Sequence, residues 1–76
     1  QGAEHRLAAQ LLAEADGEGQ VRVTQEELGF RIGATRITVA RLLRKWVDRG
    51  WVSTGYGRVC VLRVQPLREL SQAGQA

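Results

Sequence analysis

The spacing of apolar residues changes period several times along the chain, and each change marks an element. Over residues 3–15, Leu7, Ala8, Leu11, Leu12 and Ala15 recur at helical spacing, predicting a first amphipathic helix ended by Asp16-Gly17-Glu18-Gly19. Residues 20–23 alternate polar and apolar side chains, enough for one short strand. Thr24 opens a second helix. The spacing Thr24-x-x-Glu27 is that of a capping box, in which hydroxyl and carboxylate each take one orphan backbone N–H. Leu28 and Ile32 give this helix a narrow apolar stripe, and Gly33 ends it by accepting a left-handed backbone. Thr35 caps a third helix running to about Arg49, with Gly50 as its stop. Its apolar set, Val39, Leu42, Leu43, Trp46 and Val47, falls on one arc and is expected to face a core. Residues 51–54 and 58–64 read as two strands joined by Gly55-Tyr56-Gly57, whose glycines would supply the turn's unusual backbone angles. Pro66 is expected to close the sheet, residues 67–70 to add a helical turn, and the last six residues to fray.

Two helices joined by so short a turn cannot run antiparallel and must cross steeply, as in a helix-turn-helix. That crossing needs a small residue where the second helix approaches the first, and Gly29 stands there. It needs a residue tolerant of positive φ in the turn, which Gly33 provides. Leu28, Ile32, Ala34, Val39 and Leu42 are placed to fill the wedge between the helices. With the strand pair that follows, the fold class is mainly α with a small antiparallel β-sheet. It is a winged helix: a three-helix, helix-turn-helix core over about residues 24–49 and a β-hairpin wing over about 51–64, one domain spanning 1–76.

Composition narrows the chemistry. The chain has 76 residues, 43% hydrophobic and 25% charged, which is ordinary for a single small globular domain. Its longest uninterrupted apolar run is Val59-Cys60-Val61-Leu62, so no membrane span is expected. One cysteine allows no internal disulfide, and one histidine with one cysteine offers no zinc cage, so no metal and no cofactor are expected in this domain. No nucleophile–base or carboxylate pair stands at a recognisable spacing, so an enzyme is not expected. The net charge of +3 is unevenly spread. Residues 1–30 carry two arginines against six acids, a net −4, whereas residues 31–63 carry eight basic residues against Asp48, a net +7. Much of this excess lies on the outward arc of the third helix, which holds Arg36, Ile37, Ala40, Arg41, Arg44 and Lys45. Such polarity suits a polyanion, and a solvated basic face is the alternative. Arg44 and Lys45 flank the outward face at positions suited to phosphate contact. At the hairpin tip, Arg58 and the hydroxyl of Tyr56 could lie along a phosphate backbone, or the hairpin could merely cover the core.

The stretch from Val23 to Leu43 resembles the DNA-binding domain of the cyclic-AMP receptor protein and FNR superfamily of bacterial transcription regulators. The residues that carry the likeness are Thr24-Gln25-x-Glu27-Leu28-Gly29, then Gly33-x-Thr35-Arg36-x-Thr38-Val39-x-Arg41, and the turn at Gly57-Arg58. The resemblance extends over about residues 4 to 70. It implies sequence-specific binding of double-stranded DNA as the output domain of a cytoplasmic regulator, with the recognition helix in the major groove of a palindromic half-site. Arg36 and Arg41 match base-reading arginines, whose guanidinium groups fit guanine O6 and N7. Thr24, Gln25, Thr35 and Thr38 match phosphate-contacting positions. Ile37 departs from the family's common acidic residue, which accepts from a cytosine amino group, and is suited instead to a thymine methyl. The resemblance further implies a homodimer in the full-length protein and RNA polymerase as a partner. It also implies an N-terminal effector domain and dimerisation helix, both absent from this sequence, so that the isolated domain would be monomeric. The competing reading is a winged-helix module that contacts protein or RNA through its basic face.

Four residues have bland readings. Trp46 and Trp51 are expected to pack, Cys60 to be a small buried hydrophobe, and His5 to be exposed to solvent.

Overall fold

The computed structural model describes residues 2–73. In chain order it contains α1 (Ala3–Glu14), β1 (Gln20–Val21), α2 (Gln25–Ile32), α3 (Arg36–Asp48), β2 (Val52–Gly55), β3 (Arg58–Val61) and α4 (Val64–Ala73). The three strands form one antiparallel sheet in the order β1-β3-β2, with Gln20 and Ser53 on either side of Cys60 and Gly55 opposite Arg58. The expected winged helix is present, and its first three helices are in place to within a residue or so at each end, whereas the helical turn expected over 67–70 is a helix over Val64–Ala73.

Each start and stop has a local cause. Asp16 turns the chain after α1, its carboxylate accepting from the backbone N–H groups of Glu18 and Gln20 at 2.8 and 3.0 Å. The capping box at α2 is complete: Glu27 N–H donates to the Thr24 hydroxyl oxygen at 3.0 Å, and Thr24 N–H donates to the Glu27 carboxylate at 2.8 Å. Gly33 ends α2 with φ 72°, in the left-handed region. At Gly29 a side chain has no room, because a Cβ there would lie 2.7 Å from the Ala34 carbonyl oxygen.

The core gathers one face of every element. Trp46, Leu7, Leu11, Leu28, Leu43 and Leu67 are its largest fully buried side chains, packed with Val21, Val39, Val52 and Val59. α1 and α4 pack chiefly on each other, and α2 on α3.

Several expectations are corrected. The second wing strand ends at Val61 rather than residue 64, because the chain turns into α4, where Leu67 is buried against the core. Pro66 does not close the sheet. It lies in the first turn of α4, where a missing N–H removes no helical hydrogen bond. Of the six residues expected to fray, 71–73 are helical and 74–76 lie outside the described residues. In the hairpin, only Gly57 has a positive φ, at 62°; Gly55 belongs to β2. Val47 sits at the rim of the α3 arc and is exposed, while Leu42 and Ala34 are only partly buried. Cys60 is half-buried because its strand position alternates with the inward-facing Val59 and Val61. His5 is half-buried on α1 rather than exposed. Trp46 packs as expected; Trp51 is half-buried with the Arg49 guanidinium 5.2 Å from its ring centre.

Candidate nucleic-acid interface

The site is assembled at the entrance to α3. Thr35 caps that helix by accepting from Thr38 N–H at 3.1 Å, and its hydroxyl donates to Thr38 Oγ1 at 3.1 Å. With the helix pinned at this end, Arg36, Ile37, Arg41 and Arg44 are all exposed along its outward arc, and Ile37 is 75% exposed. Among the described residues, Arg36, Arg41 and Arg58 make no ion pair or hydrogen bond through their side chains. Their guanidinium donors remain available.

The wing is joined to the rest of the domain by the β1–β3 pairing, and its tip by one further backbone contact. Val23 N–H donates to the Gly57 carbonyl at 3.0 Å, which ties the hairpin tip to the residue preceding the α2 cap. Tyr56 is fully exposed at that tip. Between the tip and the helices runs an open groove lined by Thr24, Gln25, Arg36, Thr54 and Tyr56. The structure therefore brings Tyr56 of the wing together with Thr24, Gln25 and Arg36, which precede it in sequence by 32, 31 and 20 residues. Arg58 follows the tip, its side chain lying across Gly55. The Thr24 hydroxyl and the Glu27 carboxylate are committed to each other's backbone; those bonds hold the Glu27 carboxyl below its usual range.

Two of the basic residues are already partnered. Arg31 pairs with Glu14 of α1. Lys45 turns to the flank of α3 that faces α1, where its ammonium lies 3.0 Å from Glu4 Oε2. Burial raises the Glu4 carboxyl, but hydrogen bonds from Lys45 and Trp46 outweigh it and leave the group below its usual range. Arg44 stands 3.9 Å from Asp48 in an exposed pair one turn apart, a contact too weak to withhold its charge. The acids of α1 thus neutralise the basic residues on the inner flanks of the motif and leave the outer arc uncompensated.

Sequence reasoning missed Phe30, which is 91% exposed on α2 beside Ala34 and Arg36. Its offset of two residues from both Leu28 and Ile32 was the available signal, since it places the ring opposite the apolar stripe. Among the described residues, no group of three or more His, Cys, Asp or Glu side chains could hold a metal ion. No described helix is long and apolar enough to cross a membrane.

Comparison with known proteins agrees with this fold. A family model described as a Crp-like helix-turn-helix domain matches residues 5–70. The transcriptional regulator SdrP of Thermus thermophilus is 29% identical over 77 residues, covering 91% of this chain and 38% of SdrP. A CRP/FNR-family transcriptional regulator of the same organism superposes with a TM-score of 0.86 at 29% identity, over 95% of this chain and 41% of the regulator. The catabolite activator protein of Thermus thermophilus gives a TM-score of 0.79 at 31% identity, over 97% of this chain and 35% of that protein. The chain therefore spans about two fifths of the length of these relatives.

Proposed function

The chain belongs to the Crp-like helix-turn-helix domain family of CRP/FNR transcription regulators, and from that premise we propose that it binds double-stranded DNA sequence-specifically, with α3 in the major groove of a palindromic half-site. The relatives are transcription regulators, a non-enzymatic role. The observation that carries the reading is the unpaired outer arc of α3, Arg36, Ile37 and Arg41, set beside a wing tip anchored to the α2 cap. Arg36 and Arg41 read base edges as bidentate donors, and Ile37 packs on a thymine methyl. Thr24, Gln25, Thr35, Thr38, Arg44, Tyr56 and Arg58 lie along phosphates and fix register. Lys45, although on the flank of the same helix, acts first through Glu4.

In the whole regulator, two such domains bind half-sites about 34 Å apart, one helical turn of DNA. An N-terminal effector domain controls them, a dimerisation helix joins them, and RNA polymerase is a further partner. A single domain makes few phosphate contacts, so its binding is weak and falls steeply with salt.

The test is Arg36→Ala, measured on a duplex selected from a random library and on random duplex. Losing a bidentate base contact costs about 1–3 kcal/mol more on the selected duplex than on random duplex, where only the lost charge is felt, and relaxes preference at one base pair. Equal losses on both duplexes would remove Arg36 from base reading. Absence of any gel shift on either duplex at low salt would point to a protein or RNA partner.

A further inference from the structure

One carboxylate oxygen makes two side-chain contacts across the domain. Glu4 Oε2, in the first turn of α1, accepts from the Trp46 indole N–H at 3.1 Å and lies 3.0 Å from Lys45 Nζ. Both donors belong to α3, and Trp46 is the largest fully buried side chain in the protein. Lys45 and Trp46 are successive helical residues, so their side chains leave the α3 axis about 100° apart. A single acceptor bound to both therefore fixes the rotation of α3 about its own axis, which packing against one apolar face defines less sharply. That rotation decides which side chains lie on the outer arc. Two further contacts fix α2 against α1: Arg6 Nε donates to the Ile32 carbonyl at 2.9 Å, and Arg31 pairs with Glu14. α1 thus holds both helices of the motif through polar contacts near its two ends.

We infer that Glu4 is a positioning residue for DNA reading: it makes no contact with DNA but sets the azimuth of α3, and so aims Arg36, Ile37 and Arg41 at the base edges. This rests on the proposed function. It also gives Lys45 a role in aiming the helix, and makes α1 the element through which a displacement would reach the recognition face.

Charge gives the inference an unusual sign. Removing an anion from a protein that binds a polyanion ordinarily tightens binding. Here Glu4→Ala weakens binding to the selected duplex by about twofold to thirtyfold, the range seen for substitutions that act on a site without touching its ligand. Binding to random duplex is unchanged or tighter, because that mode needs charge and not aim. Glu4→Gln removes the same charge but keeps an oxygen able to accept from Trp46 and Lys45, and it restores most of the selectivity.

The experiment measures the 76-residue chain and these two variants on selected and random duplexes at one low salt concentration, with circular dichroism as the check on folding. If Glu4→Ala does not fold, Trp46→Phe takes its place, removing the indole donor while keeping an aromatic ring in the core. Loss of selectivity in the Ala or Phe variant and its return with Gln is the expected result. Selective binding as good as the parent's in the Ala or Phe variant overturns the inference, as does a Gln variant as poor as Ala. In those cases the parent still discriminates between duplexes, and the DNA-binding reading stands. If the parent binds no duplex, that reading falls and takes this one with it.

Discussion

Replacing Gly29 by alanine sets two well-understood effects against each other. Alanine is the better helix former, and in a helix interior it is worth about 1 kcal/mol over glycine. In this structure, however, the added Cβ would stand 2.7 Å from the Ala34 carbonyl oxygen, 3.2 Å from the Thr35 carbonyl carbon and 3.3 Å from the Arg36 nitrogen. All three are backbone atoms, so no rotamer change relieves the contact. Overpacking of this kind costs about 1–3 kcal/mol, and it outweighs the gain in propensity. We expect a net loss of roughly 1 kcal/mol, which for a domain of this size lowers Tm by about 4–8 °C. The geometric effect matters more. The segment that must yield, residues 34–36, is the turn leading into α3, so its relief moves the recognition arc and weakens binding to a selected duplex even where the protein is fully folded. Gly33→Ala is the control. Its Cβ meets nothing within 4 Å, and its cost comes from the φ of 72° alone, about 1–2 kcal/mol for a left-handed alanine. The two variants should melt at similarly reduced temperatures by circular dichroism, yet differ in duplex affinity measured well below their Tm. A Gly29→Ala protein with an unchanged or higher Tm and parental affinity would refute the claim that α3 is seated by this contact.

Two further outcomes are expected. Glu4, Glu14, Asp16 and Glu27 all have carboxyl groups held below their ordinary values of 4.5 or 3.8, by hydrogen bonds from Lys45, Arg31 and backbone N–H groups. Because the folded form favours the ionised state, this stability is complete above those ordinary values and is lost as pH falls through the lower folded values; acid titration of denaturant midpoints should show a plateau near neutrality and a decline beginning at about pH 4–5. Ile37→Glu should exchange an apolar contact for an acceptor, shifting preference at one position from thymine towards cytosine by about 1–3 kcal/mol; selection of duplexes from a random library reads this directly, and an unchanged site would place residue 37 outside the base contacts.

The helix-turn-helix was legible because its determinants are local. Thr24 and Glu27, Gly29, Gly33 and Thr35 lie within one short stretch, and each does in the structure what its chemistry allows in isolation. The outward arc of α3 was equally readable, since one helix's periodicity separates Val39, Leu43 and Trp46 from Arg36, Ile37 and Arg41. What could not be read depends on contacts between distant segments. Nothing near Lys45 in sequence announces that an acid 41 residues earlier will turn it towards α1. The length of α4 was hidden for a related reason. Pro66 and the sparsely apolar residues after Leu70 read as an ending until Leu67 and Leu70 find α1 to pack against. Cys60 was misjudged because an unbroken apolar run hides which residues alternate outward when only one face of a strand is covered.

The pairing of α1 with α4, and of β1 with β3 rather than with a neighbour in sequence, has a consequence for how the domain is made. The functional motif is contiguous, α2 through α3, yet the frame that supports it is closed by the first and last elements of the fold. During synthesis the motif leaves the ribosome well before the helix that completes its support, so cooperative folding waits for α4. The same topology governs transplantation. Residues 25–48 moved alone into another protein would carry every side chain proposed to read bases and none of the scaffold that aims them, so a transplanted motif has to bring α1 and α4 with it.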